Sequence, residues 1–195
     1  MIAYATRTGT RSTLRALRAA DWRLLLTPDA HHVDPSWGFQ YALDNGAWGA
    51  YQQQAEWPEA RFTALVERFG AQADWVVAPD IVMGGPESLA KSLAWLPALR
   101  RQVPRVLLAV QDGMVPSELR PHLGPAVGVF VGGSTEWKLE TLRQWGDLCA
   151  ELGAWCHIGR VNSVRRIKLC HSARAHSFDG TSVSQFACTL GKLNA

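Results

Sequence analysis

Eight apolar, β-like runs recur along the chain with helix-patterned segments between most of them, and this alternation constrains the fold more than any other feature. The runs are "IAYATR" (2–7), "RLLLT" (23–27), "YALDN" (41–45), "DWVVAPD" (74–80), "RVLLAVQ" (105–111), "VGVFVGG" (127–133), "WCHIGR" (155–160) and "AHSFD" (175–179). Alternating strands and helices place the strands parallel, joined by right-handed crossovers. Eight such units predict an α/β fold, a single-domain (β/α)8 TIM-type barrel over residues 1–195. An open doubly wound sheet is the alternative. At roughly 24 residues per unit, a strand, a helix and two short loops fit with almost nothing left over, so the barrel is of minimal size.

Helical periodicity is expected over 12–20, 58–70, 86–102, 134–153 and 162–174. In the second of these Phe62, Leu65, Val66 and Phe69 fall on one face, with Pro58 at the start and Gly70 just past the end. The fifth connection, "MVPSELRPHLGP", holds only a short helix, the second, "PDAHHVDPSWGFQ", has no helical period, and "SVSQFACTLGKLNA" can close the barrel with a last helix. His31 and His32 in that second connection read as loop residues rather than metal ligands.

No apolar run approaches the roughly 18 residues of a membrane span, and "MIAYATRTGT" lacks a signal-peptide layout, so a soluble, cytoplasmic protein is expected. Cys149, Cys156, Cys170 and Cys188 show no CxxC or CxxH pairing, which predicts buried reduced thiols and no metal site. The net charge is +3, with sixteen Arg against four Lys. Arginine grips phosphates bidentately, so a nucleic-acid partner is compatible with this balance without being required by it.

In a parallel barrel the reactive face is formed by the carboxyl ends of the strands. The residues ending the runs are Arg7, Thr27, Asp44, Asp80, Gln111, Gly132 with Gly133, Arg160 and Asp179. Asp and Gly are also ordinary junction residues, and the Asp-Gly of "HSFDGTS" (176–182) is a common hairpin turn signal. The segment after it looks helical, however, which favours a strand end over a hairpin. Three converging carboxylates would raise at least one pKa through mutual repulsion, the usual way for a site to hold one ionised nucleophile and one proton carrier.

The order "LDNGAW" (43–48), "APDIV" (78–82), "LAVQDG" (108–113), "VFVGGSTEW" (129–137), "HIGRVNS" (157–163) and "HSFDGTS" resembles the tRNA-guanine transglycosylase superfamily. It is most similar to the deazaguanine DNA transglycosylases of phages and genomic islands. The resemblance implies Asp179 as the nucleophile that forms a covalent glycosyl enzyme and Asp44 as the residue that handles protons at the base. It also implies Asp80, Gln111, Gly132 and Gly133 as the base-binding set, with no cofactor. The cysteine and histidine zinc cluster of the tRNA-modifying members is missing after Asp179, which points to the DNA branch. The expected reaction replaces guanine in DNA with a 7-deazaguanine such as 7-cyano-7-deazaguanine. Base exchange on free nucleosides, nucleotides or tRNA, and a non-catalytic base-binding barrel, are the alternatives.

The residue types suit that chemistry. An aspartate accepts from the N1–H and exocyclic amine of guanine, a glutamine amide serves O6, and glycine lets backbone lie against a flat ring. A carboxylate stabilises and then captures an oxocarbenium-like centre, as in retaining glycosidases. Trp37, Trp48 and Trp137 offer rings on which an extracted base can stack, or cover edges of the core. Arg7, Arg11, Arg160, Arg165, Arg166 and Lys168 are candidates for backbone phosphates, or part of a solvated surface. A barrel this small has little surface for reading DNA sequence. Recognition is expected to rest on a homodimer, an accessory protein, or phosphate contacts and one flipped base.

Overall fold

In the computed structural model, which describes residues 1–6, 11–29 and 38–180, eight parallel strands close into one barrel in chain order. They are β1 (Ile2–Thr6), β2 (Arg23–Leu26), β3 (Tyr41–Leu43), β4 (Val76–Val77), β5 (Val106–Val110), β6 (Val127–Val131), β7 (Cys156–Ile158) and β8 (Ser177–Asp179). Closure comes from β8 pairing with β1, where Tyr4 stands opposite Asp179. The surrounding helices are α1 (Arg11–Ala19), α2 (Ala47–Gln52), α3 (Glu59–Phe69), α4 (Gly85–Leu99), α5 (Pro116–Leu119), α6 (Thr135–Leu152) and α7 (Val164–Ser172). The expected barrel is therefore the observed one. Among the described residues no helix is long and apolar enough to cross a membrane.

Period-two alternation divides the apolar residues into two cores. Outward residues such as Leu24, Leu26, Val129, Val131, Ile158 and Phe178 pack under the helices, where α3 buries the expected face of Phe62, Leu65, Val66 and Phe69. Inward residues fill the barrel: Tyr4, Leu25, Ala42, Trp75, Val77, Leu107 and Ala109, with Phe130 and Trp155 against them. Polar atoms in this plug are paired, since Trp75 Nε1 donates to the Tyr4 hydroxyl at 3.2 Å and that hydroxyl donates to Asp74 Oδ2 at 2.9 Å. Arg23 holds the other Asp74 oxygen at 2.8 Å. Cys149, Cys156 and Cys170 are buried free thiols.

Two expectations need adjustment. The run 74–80 contributes only Val76 and Val77 to the ladder, because Pro79 has no N–H to donate. The segment after β3, outside the expected helical ranges, winds into α2 and carries Trp48 on it. Its entry is the glycine of "DNG": Gly46 has φ +75°, a conformation that favours glycine. Arg7, Trp37, His31, His32, Cys188 and the expected closing helix over 182–195 lie outside the described residues.

Helix α6 packs against the end of α7 through Gly146, where an added Cβ would collide with the carbonyl group of Ala173. Backbone cannot rotate away as a side chain can. Gly146→Ala is expected to destabilise the fold by about 2–3 kcal/mol, lowering Tm by roughly 4–12 °C for a domain of this size, as thermal unfolding would show.

Candidate active site

The strand periodicity aims Asp44, Gln111, Gly132, Gly159 and Asp179 inward at the carboxyl-terminal mouth, one layer above the aromatic plug. Gly159 has no Cβ because the Phe130 ring occupies that space: a methyl there would stand 2.8 Å from Phe130 Cε1 and 3.4 Å from Asp179 Oδ2. At Gly132 the nearest atom to a built Cβ is the Val110 carbonyl oxygen at 3.3 Å.

Asp179 is buried, and two N–H donors hold its two oxygens. The Arg160 backbone N–H donates to Oδ1 at 3.1 Å, and His157 Nε2 lies 3.0 Å from Oδ2. The donor role of Nε2 follows from the atoms behind it. Trp155 Nε1 can only donate, and it does so to Ser177 Oγ at 2.9 Å. The Ser177 proton is then free for His157 Nδ1, 2.8 Å away. Nδ1 accepts, so Nε2 carries the hydrogen and gives it to the carboxylate. Burial pushes the His157 pKa down, against the pull of Asp179, and keeps the ring neutral.

On the opposite side of the mouth, Asp44 Oδ1 accepts from the Gly46 N–H at 2.8 Å. Burial, with added repulsion from Asp179 and Asp80, raises the Asp44 pKa to about 6, although the Gly46 N–H works against the rise. Asp80 is also raised, first by burial, with Asn45 and Lys91 opposing. Asn45 organises this corner. Its Nδ2 donates to Asp80 Oδ1 and to the Ala78 carbonyl, both at 2.7 Å, and its Oδ1 accepts from the first N–H of α2 at 2.8 Å.

Gln111 is engaged at both ends of its amide. Nε2 donates to the Ile81 carbonyl at 2.8 Å and Oε1 accepts from the Met83 N–H at 2.5 Å, so this side chain fixes the loop after β4. Met83 there has φ +61° and is 76% exposed. Gly133 has φ +72°, and a Cβ on it would overlap Asp112 Oδ2 and Trp137. Asp112 joins the neighbouring strand ends by accepting from the Ser134 N–H at 2.6 Å and its hydroxyl at 2.5 Å. Trp137 packs against the outer core.

Arg160 has φ +59° and donates through its guanidinium to the Gly133 carbonyl. The same group lies 4.4 Å from the centre of the Trp48 ring. Trp48 follows β3 and Arg160 follows β7, four strands apart in a closed ring of eight, so this cation–π contact bridges opposite sides of the mouth. Trp48 is 41% exposed and stacks on Tyr51 at an interplanar angle of 27°. Arg11 and Arg165 are exposed at the starts of α1 and α7 on the mouth side, and Arg166 is half-buried beside Arg160 and Lys138. Lys168 lies elsewhere: it lines a cavity of about 730 Å³ between α7 and the first residues of β1 and β2, away from the three carboxylates.

Four residues that the strand-end reading passed over are built into the site. His157 and Ser177 lie two positions before Gly159 and Asp179, so alternation alone marks them as inward. Asn45 stands inside the "LDNGAW" motif. Lys138 carried no signal, since one lysine in an amphipathic helix reads as surface. It is buried, donates to the Gly159 carbonyl at 2.5 Å, and has its pKa lowered to about 8 by burial and by Arg160. Among the described residues no cluster of His, Cys, Asp and Glu is placed to hold a metal ion.

The raised Asp44 pKa has a stability consequence with a definite sign. Its folded value of about 6 exceeds the ordinary carboxylate value of 3.8, so the folded chain binds the proton more tightly and loses stability as pH rises through this window. Asp44→Asn keeps the acceptor for Gly46 and removes the charge. It is expected to stabilise the protein by about 1–2 kcal/mol at pH 8 and by nothing at pH 4, a difference readable from urea unfolding at the two pH values.

No protein-family model and no curated protein matches the chain.

Proposed function

We propose that this protein is a DNA base-exchange enzyme that replaces guanine with a 7-deazaguanine such as 7-cyano-7-deazaguanine. The observation that carries this reading is Asp179: a buried carboxylate at the mouth of the barrel, both oxygens held by N–H donors, facing a second carboxylate that keeps its proton to about pH 6. The order of motifs described above supports the same choice.

Asp179 attacks C1′ of a flipped deoxyguanosine, forming an ester bond as the bond from C1′ to N9 of guanine breaks. Protonated Asp44 gives its proton to the departing base. The incoming deazaguanine then loses its N9 proton to Asp44 and attacks C1′ from the vacated face, and the electron pair of the ester bond returns to Asp179. Exclusion of water keeps the outcome at exchange rather than hydrolysis. Asp80 retains Oδ2 for the donor edge of the base while Asn45 holds Oδ1. Gln111 contributes by holding the 81–83 backbone against the site, and Gly132 leaves room for the ring.

Entry of a nucleotide displaces Arg160 from Trp48. The guanidinium is then available for a phosphate, and the freed indole for stacking. Arg11, Arg165 and Arg166 extend the positive rim along which a DNA backbone can run.

Incubation with duplex DNA and labelled 7-cyano-7-deazaguanine is expected to give label in the DNA, and Asp179→Asn to reduce the rate by at least about 10³-fold. Label in free nucleoside but not in DNA would shift the donor to the monomer, and no incorporation into either would overturn the reading. Trp48→Ala is expected to weaken DNA binding roughly 5- to 150-fold, measured by fluorescence anisotropy at fixed salt.

A further inference from the structure

We propose that His157, with Ser177 and Trp155 behind it, is a positioning residue that selects which oxygen of Asp179 bonds to the sugar. The inference deepens the proposed exchange reaction and rests on it for the identity of the bond formed. The register pairs Ile158 with Phe178, which puts Gly159 level with Asp179 and His157 one layer deeper in the barrel. The contact from His157 Nε2 therefore draws Oδ2 inward, away from the mouth. Oδ1, which accepts from the Arg160 N–H and keeps a second lone pair toward the mouth, is the oxygen that forms the bond to C1′, and Oδ2 becomes the carbonyl oxygen of the ester, still accepting from His157. When the second base attacks, the electron pair returns to Oδ1 and the carboxylate reforms against the same donor. No proton moves through His157 in either step.

The imidazole is built to stay still. Its ring stacks on Phe130 at a centroid distance of 4.9 Å and 23°, and meets Trp75 at 4.6 Å and Tyr4 at 5.7 Å. Both nitrogens are occupied, and both His157 and Ser177 are fully buried. Of the nearby ionisable groups, Lys138 is committed to the Gly159 carbonyl. A neutral donor suits this place because it orients the carboxylate without the full charge of an imidazolium, which would weaken its attack.

Three variants and one spectrum test the assignment. His157→Phe keeps a ring in the plug and deletes the donor, and is expected to slow formation of the covalent adduct roughly 10- to 100-fold with DNA affinity unchanged. His157→Gln restores an N–H near Nε2 and is expected to recover most of that loss. Ser177→Ala spares the ring and removes its anchor together with the acceptor for Trp155, giving a smaller loss, so the idea stays testable if His157→Phe does not fold. In ¹⁵N-histidine-labelled protein at pH 7, the His157 imidazole is expected to show a protonated Nε2 and a bare Nδ1. A protonated Nδ1, an imidazolium, or folded His157→Phe with wild-type adduct formation would each overturn the proposal. If the wild-type protein exchanges no base at all, the proposed reaction falls and the spectrum still decides how Asp179 is held.

Discussion

Closure of the barrel between β1 and β8 is the constraint on which the rest depends. Once Tyr4 stands opposite Asp179, strict alternation fixes which side chain of every strand faces inward, and a one-residue slip would turn the aspartate out under the helices. The closed ring must also be filled, because an eight-stranded barrel is a packed core and not a pore. Tyr4, Trp75, Phe130, Trp155 and His157 fill the lower layers with rings. Glycines at 132 and 159 keep side chains out of the top layer, and the two arrangements together leave the carboxylates facing the mouth beside Gln111.

Holding several carboxylates there is unfavourable unless donors offset the loss of water. The chain meets this mainly with neutral groups: backbone N–H of Gly46 and Arg160, the Asn45 amide and the His157 imidazole. Neutral donors hold a carboxylate in place without fully neutralising it, which preserves its capacity to react. The unequal distribution of donors separates the roles. Asp179 has two, while Asp44 has one, and burial, with two acidic neighbours adding to it, raises the Asp44 pKa.

Much of this was legible from residue order because period and punctuation are local properties. The helical face of Phe62, Leu65, Val66 and Phe69, the short helix in the fifth connection, and the ends of β3, β5 and β8 all depend on neighbours within a few positions. What escaped depends on contacts distant in sequence. Gln111 looks like a free amide at a strand end, yet its partners at residues 81 and 83 belong to the neighbouring strand's loop. Lys168 falls within a basic run beside Arg165 and Arg166, but it lines the cavity at the first residues of β1 and β2. The network from Trp155 to Asp179 needs the register of two strands before it can be drawn, and α2 is too short for a clear period.

The Asp-Gly pair of "HSFDGTS" shows how a turn signal and a site signal can share the same residues for different physical reasons. Gly180 does not take the positive φ of a hairpin turn. It is glycine because the loop after β7 crosses directly over it, so that a Cβ would collide with the Val161 carbonyl and stand 2.8 Å from Asn162 Oδ1. That close crossing is sealed by the Val161 N–H donating to the Asp179 carbonyl at 2.6 Å. It brings Arg160 over the aspartate, where its own N–H reaches Oδ1 and its guanidinium spans to Trp48. A side chain at 180 would push the loop away and release both contacts, so the glycine orients the carboxylate beside it through the backbone that passes above.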